Sequence, residues 1–447
     1  MQWTDLLCAE RLSDPGYAEG RNRSIFVQDH DRIVFSAPFR RLANKTQVHP
    51  LYENDHLHHR LIHSVEVGSV GRSLAMHIGD WLMDIGEIGP HEDHSLANVV
   101  QAACAAHDIG NPPFGHSGEA SIGAWFAERF DAGRGLCGDL DPVLRPEFTA
   151  FEGNAQGFRI VTRLEMYRNA GGMRLSKAVL GAFMKYPTTA ATRAALPGEV
   201  RKGYAGLKKF GVFAGEEALF AEVARGCGLP LEDTSAGRWW RRHPLVFVVE
   251  AADDICYNIV DLEDAHASGD LPYDVVRDAL NELAGRPNRD TTGYTRSEHI
   301  ALLRSLAIGR AIEACVVAFR ENYAAIMDGS FSAALVDASA CADGFARIGT
   351  LAQERIFTAR RKTELEISGR QVIRNVLDGV LPVYEALAAA GWDAGALKGH
   401  PAQIARALSL DLRDMDGPEA ALHRLADFVS GMTDRYALSV SRMLSGT

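Results

Sequence analysis

Val99-Val100-Gln101-Ala102-Ala103-Cys104-Ala105-Ala106-His107-Asp108-Ile109-Gly110-Asn111-Pro112-Pro113 is a run of small residues that passes abruptly into His-Asp and then into Gly-Asn-Pro-Pro. Side chains this small let a helix pack tightly in a core, and Gly followed by Pro stops it. Asp108 is therefore carried out of water at a helix end. A buried carboxylate is costly unless something neutralises it, and a divalent cation would do so. Helix ends of this kind also occur without function, so the stretch alone leaves both readings open. A second His-Asp pair, His30-Asp31, sits among charged residues near the N-terminus and reads as structural.

The surroundings weight the first pair. Of 16 histidines, 11 fall between His30 and His116, and histidine is both the commonest metal ligand and a proton-transfer group. The 447-residue chain is long enough for one large domain or two intimate ones. Its net charge of −11 does not favour nucleic acid or an anionic membrane, so an anionic substrate needs a local basic pocket. Seven scattered cysteines without a CxxC suit free thiols in a reducing cytosol. The start of the chain is charged too early for a signal peptide, and no run is long enough to span a membrane. These features predict a soluble, cytoplasmic protein with no membrane partner.

Helical periodicity dominates, at 32–45, 55–83, 95–109, 117–130, 154–170, 174–186, 215–227, 244–268, 273–285, 297–327, 365–391, 400–413 and 417–444. β-type alternation is scarce. Asn54-Asp55 offers caps for the helix carrying His63. Two segments read as irregular. The first, 131–150, is rich in Gly, Asp and Pro. The second, 187–214, carries Arg193, Arg201, Lys202, Lys208 and Lys209, as either a basic flap near a phosphate or a solvated loop. Gly133–Gly138 matches GxGxxG but follows no strand, and His91-Glu92-Asp93-His94 has the wrong spacing for a zincin.

Ala106-His107-Asp108-Ile109-Gly110-Asn111-Pro112-Pro113-Phe114-Gly115-His116-Ser117-Gly118-Glu119 resembles the signature of the dGTPase-like deoxynucleoside triphosphate triphosphohydrolases of the HD superfamily. Five other family-like blocks occur in the expected order. They are Phe39–Leu42 with Lys45–Val48, His59–Ser64, Phe151–Gln156, Lys185-Tyr186-Pro187, and His243-Pro244-Leu245 with Glu250–Tyr257. The resemblance covers roughly residues 20–270.

It implies an all-α fold: an HD-domain helical core over 1–270, with the basic loop 187–214 inside it, and a C-terminal helical region, 271–447, packed on the core. It also implies a homo-oligomer. One divalent metal, Mg²⁺, Mn²⁺ or Fe²⁺, would be held by His63, His107, Asp108 and an aspartate of the 244–268 helix, a donor set suited to hard or borderline cations. Asp253 and Asp254 point about 100° apart on a helix, so one metal cannot easily use both. In the family the metal aspartate is followed at i+4 and i+8 by a tyrosine and an aspartate that contact substrate. Asp253, Tyr257 and Asp261 fit that spacing, whereas Asp254 leads to Asn258 and Leu262.

The resemblance further implies that His116 and Glu119 orient and deprotonate the attacking water or handle the leaving group's proton. Arg60, Lys185 and Tyr186 would meet the triphosphate, because two carboxylates leave a dication nearly neutral and the phosphates need other cations. Gln47 would read the deoxynucleoside, with Tyr257 and Asp261 near the sugar. His49, His56, His58 and His59 match no ligand position. The implied reaction is dNTP + H₂O → deoxynucleoside + inorganic triphosphate. The alternatives are another HD phosphohydrolase, a nucleotidase or phosphodiesterase, and a non-catalytic nucleotide- or single-strand-binding protein. Past residue 270 the likeness thins. Arg360-Arg361-Lys362 reads as a solvated helix face, with a neighbour's pocket or single-stranded nucleic acid as other uses.

Overall fold

The computed structural model describes residues 1–17, 20, 23–46, 58–358 and 360–446. Helices carry almost all of it. Among the described residues the only sheet is a hairpin, Leu231–Thr234 paired antiparallel with Gly237–Trp240. No described helix is long and apolar enough to cross a membrane. The fold is all-α, as the periodicity predicts.

Three helices make the centre. Arg60–Asp84 packs along Glu92–Ala106, and Pro244–Ala267 packs against both. Ala102, Ala103, Cys104, Ala105 and Ala106 are all buried, so the small side chains are what let the helix sit between its neighbours. Gly110 stands just beyond that helix for a reason other than a left-handed cap. A Cβ there would lie 2.1 Å from Gly153 O and 2.1 Å from Gly157 N, so only glycine permits this contact between two chain segments.

The apolar interior has two main parts. One runs from Trp3 to Ile356 and includes the three central helices with Arg296–Glu321. The other joins Phe114–Ala155 to the C-terminal helices Arg360–Ala389, Pro418–Ser430 and Asp434–Ser445. Residues after 270 therefore enter both cores, and these do not divide at residue 270. Arg159 fastens the segments, reaching Glu216 at 2.8 Å and Asp427 at 2.9 Å.

Several boundaries differ from expectation. The His63 helix begins at Arg60, with His59 Nδ1 accepting the Ile62 N–H; the expected caps Asn54 and Asp55 lie outside the described residues. The expected 154–170 helix ends in a π turn at Ile160–Leu164. The 417–444 pattern breaks at Gly431-Met432-Thr433, where Thr433 caps a new helix. Ala342–Leu351 is a helix that periodicity did not single out. The two segments expected to be irregular contain short helices, because each holds apolar residues with somewhere to go. Leu136, Cys137, Leu140 and Phe148 join the second core. Around the helices Ala190–Ala195 and Gly198–Gly203, Leu196, Tyr204 and Leu207 pack with Trp239.

Candidate active site

The three central helices converge on a cleft of about 420 Å³. His63, His107 and Asp108 each bring one donor atom within 4.8 Å of the others. Oδ1 of Asp253 lies 3.0 Å from His63 Nε2 and 3.7 Å from His107 Nε2. His107 Nδ1 is 2.7 Å from the Cys104 carbonyl, which can only accept, so Nδ1 carries the proton and Nε2 the lone pair. That Nε2 is buried without a hydrogen-bond partner. An orphaned imidazole lone pair, a second imidazole and two carboxylates at one point fit a divalent cation.

The carboxylates are held ionised. Burial pushes Asp108 up, but Arg60, His107 and His63 together bring it down to about 2. Asp253 is likewise lowered, burial being outweighed by His107, the His63 hydrogen bond and Lys185. Asp254 goes the other way. Burial, then repulsion from Asp253, pushes it up to about 7 against the pull of Lys185. Asp254 also lines the cleft, yet Asp253 is the neighbour in contact with both imidazoles.

Arg60 is buried and donates through Nη1 to Asp108 Oδ2 at 2.5 Å. It therefore braces a carboxylate of the donor set as well as lining the cleft. Gly115, at φ +56°, makes room for it, since a Cβ there would lie 2.8 Å from Arg60 Nη2. Asn111, to which the sequence assigns no role, donates to the other oxygen of Asp108.

His116 and Glu119 form a pair at 2.7 Å, Nδ1 to Oε2. Glu119 is buried while the His116 side chain is 83 % exposed, so the ring stands at the cleft mouth on a fixed carboxylate. Glu119 Oε1 also accepts the Gly153 N–H at 2.8 Å. The turn before His116 is strained, with Phe114 at φ 63°. Asp434, from the last helix, holds that turn by accepting the Phe114 N–H at 3.0 Å and the Thr46 N–H at 3.1 Å. The sequence gives no signal for this distant partner.

Lys185 and Tyr186 line the cleft. Lys185 Nζ is 3.3 Å from Glu250, which also takes Arg242 at 2.6 Å. Burial acts against the Lys185 ammonium, but Glu250, Tyr186 and Asp253 keep it charged. Glu250 was legible, being i−3 from Asp253 on one helical face. Lys208 and Lys209, from the basic segment, also line the cleft, and Lys209 pairs with Glu152 at 2.8 Å.

Tyr257 lines the cleft, whereas Asp261, one turn further along the same helix, is buried and does not line it. Gln47, His49 and His56 lie outside the described residues. His58 is engaged by Asp264 at 2.7 Å, and His59 caps its helix. Lys362 corrects one expectation. Instead of facing solvent it enters the cleft of its own chain, Nζ 3.9 Å from the centre of the Phe357 ring. A solvated face fails here because Phe357 and Tyr257 offer the lysine an aromatic wall. The side chains of Arg360 and Arg361 lie outside the described structure.

A helical scaffold presenting His-Asp and a second aspartate around one point defines an HD-domain protein of the phosphohydrolase type, and residues 60–141 match the family model of the HD domain. A deoxyguanosinetriphosphate triphosphohydrolase-like protein of Pseudomonas aeruginosa is 40% identical, over 100% of this chain and 99% of its own. One from Synechocystis sp. is 37% identical over the same shares. A deoxyguanosinetriphosphate triphosphohydrolase of Yersinia pestis is 32% identical over 83% of this chain and 80% of its own. The chain belongs to the deoxyguanosinetriphosphate triphosphohydrolase-like family of HD-domain proteins.

Proposed function

We propose that this protein hydrolyses deoxynucleoside triphosphates to deoxynucleoside and inorganic triphosphate, using one divalent cation held by His63, His107, Asp108 and Asp253. The observation that carries the proposal is the arrangement of one cleft. The donor set, the His116–Glu119 pair and the cations Lys185, Lys208, Lys209 and Lys362 all line or adjoin it. A set of two imidazoles and two carboxylates leaves a dication near neutral, and those lysines supply what a triphosphate requires.

The bound cation, Mg²⁺, Mn²⁺ or Fe²⁺, supplies Lewis-acid polarisation of the phosphate. The chain's own groups do the rest. Lys185 and Tyr186 bind the phosphate chain, and Tyr257 packs towards the sugar, with Asp261 buried one turn further along its helix. Glu119 accepts the Nδ1–H of His116, so Nε2 is the basic atom that takes the proton from the attacking water. Arg60 holds Asp108 ionised and in place. Gln47 is assigned to the deoxynucleoside, and a homo-oligomer to the working state, on family resemblance.

The test is product identity. Full-length protein with Mn²⁺ or Mg²⁺ is offered each dNTP and their mixtures, and products are resolved by ³¹P NMR. Triphosphate released intact is the expected result. Orthophosphate or pyrophosphate in its place would make the protein another kind of phosphohydrolase, and no turnover at all would favour a binding role.

A further inference from the structure

The basic segment 187–214 has a feature that the cleft does not absorb. Beside the cleft lies a second hollow of about 500 Å³, and Lys208 lines both. Arg193, Arg201 and Lys202 also line it, and no carboxylate does. In a chain of net charge −11 this clustering of one sign is unusual. Arg193 is fixed, donating to Leu207 O at 3.0 Å and to Lys208 O at 2.6 Å. Arg201 has a buried Nε with no acceptor. Among the described residues none of the four cations has an ion-pair partner. The acid whose charge acts on Arg193 is Glu152, which is already paired with Lys209.

Four like charges held around a hollow repel one another, and an anion there removes the penalty. The lining also says which anion. Its one aromatic, Tyr204, is committed: the hydroxyl accepts the Arg242 N–H at 2.8 Å, and the ring lies 5.4 Å from Trp239 and under Arg241. No aromatic face is left for a base to stack on, which single-stranded nucleic acid or a nucleobase would need. The hollow suits charge without a base.

We propose that this hollow is a second, non-catalytic site for a linear oligophosphate, gripped by Arg193, Arg201, Lys202 and the shared Lys208. That the phosphate chain is the one released from the cleft rests on the proposed reaction; the charge argument does not. A nucleotide carries the same phosphate chain with a base that this lining gives nothing to stack on, and the experiment separates the two.

Full-length Lys185→Ala protein, with the cleft weakened, is titrated calorimetrically with inorganic tripolyphosphate and separately with a dNTP. Both titrations are repeated with Arg201→Ala/Lys202→Ala added. Circular dichroism melting checks folding, and the milder Arg201→Gln stands in if the pair unfolds. Tripolyphosphate should bind at least about tenfold more weakly once these charge-assisted contacts are gone, and more weakly still at raised salt. Unchanged tripolyphosphate affinity overturns the proposal. So does a loss confined to the dNTP, which would make this a nucleotide site. If the wild-type protein turns over no dNTP yet tripolyphosphate binding depends on Arg201 and Lys202, the reaction proposed above fails and this site stands.

Discussion

Nδ1 of His116 lies 2.7 Å from Oε2 of Glu119, and the other oxygen of that carboxylate accepts the Gly153 N–H. One buried carboxylate thus fixes both the tautomer of an exposed imidazole and the loop beside it. His116→Ala should lower kcat by about 10²–10⁴-fold with KM little changed, the usual scale for losing a general base. Glu119→Gln keeps an oxygen for Gly153 but can place an N–H against Nδ1, so kcat should fall while the melting temperature holds. Steady-state kinetics with thermal melting checks both. A KM effect alone would make the pair a binding element.

Asp253 and Asp254 should separate cleanly by metal content. Asp253 touches both imidazoles, and Asp254 is pushed up to about 7 by burial and by Asp253. Asp253→Asn should lose metal by more than the about 10–100-fold typical of residues that merely orient ligands. Asp254→Asn should retain it. Plasma mass spectrometry on dialysed protein reads the difference, and equal loss in both variants would contradict the assignment.

Arg60→Ala should show how much of the Asp108 arrangement depends on the 2.5 Å contact. Removing one partner of a buried pair strands the other charge, at about 3–5 kcal/mol. The cost should be largest with EDTA and shrink when Mn²⁺ is added, because the cation then offsets Asp108. Chemical denaturation in the two conditions measures it. A loss independent of metal would mean that Arg60 acts by packing alone.

What the sequence made legible was local. The small-residue run ending in His107-Asp108 and the i, i+4 step from Asp253 to Tyr257 are helix periodicities, and helix periodicity survives folding unchanged. What stayed hidden is contact between distant segments. Nothing about Asp434 announces that it will hold Phe114, and Lys362 reads as surface until Phe357 and Tyr257 are beside it. The 187–214 segment was read by its charge, and the buried Tyr204 and Leu207 that give it structure were outvoted. Asp261 fits the substrate face by spacing, but it is buried and does not line the cleft.

Asp434→Asn tests the hold on the strained turn. Asp434 accepts from both Phe114 and Thr46, and an amide can accept with only one of its two ends. The substitution should cost about 1–3 kcal/mol for the donor left unsatisfied and lower kcat by loosening the approach to His116. Urea unfolding and kinetics together check it. Lost stability with unchanged kcat would confine Asp434 to a structural part.

Lys45 gives a pH signature. Its ammonium is buried and donates to Asn111 O at 2.5 Å and Ser430 O at 2.8 Å, tying the His107–Asp108 turn to a C-terminal helix. Burial, then Arg41 and Arg60, lowers it from 10.5 to about 7, with Asp434 and Asp108 opposing. Between those two values the unfolded chain holds a proton that the folded chain has released. Stability from this group therefore rises with pH, by up to about 1.4 kcal/mol per pH unit for one proton. Below pH 7 both states are protonated and the slope vanishes. Lys45→Met has no such proton, so the wild-type-minus-variant difference in unfolding free energy should grow steadily from pH 7 to 9. Urea denaturation at pH 6, 7, 8 and 9 measures this. A flat difference would mean that the two carbonyls and Asp434 are enough to keep Lys45 charged throughout.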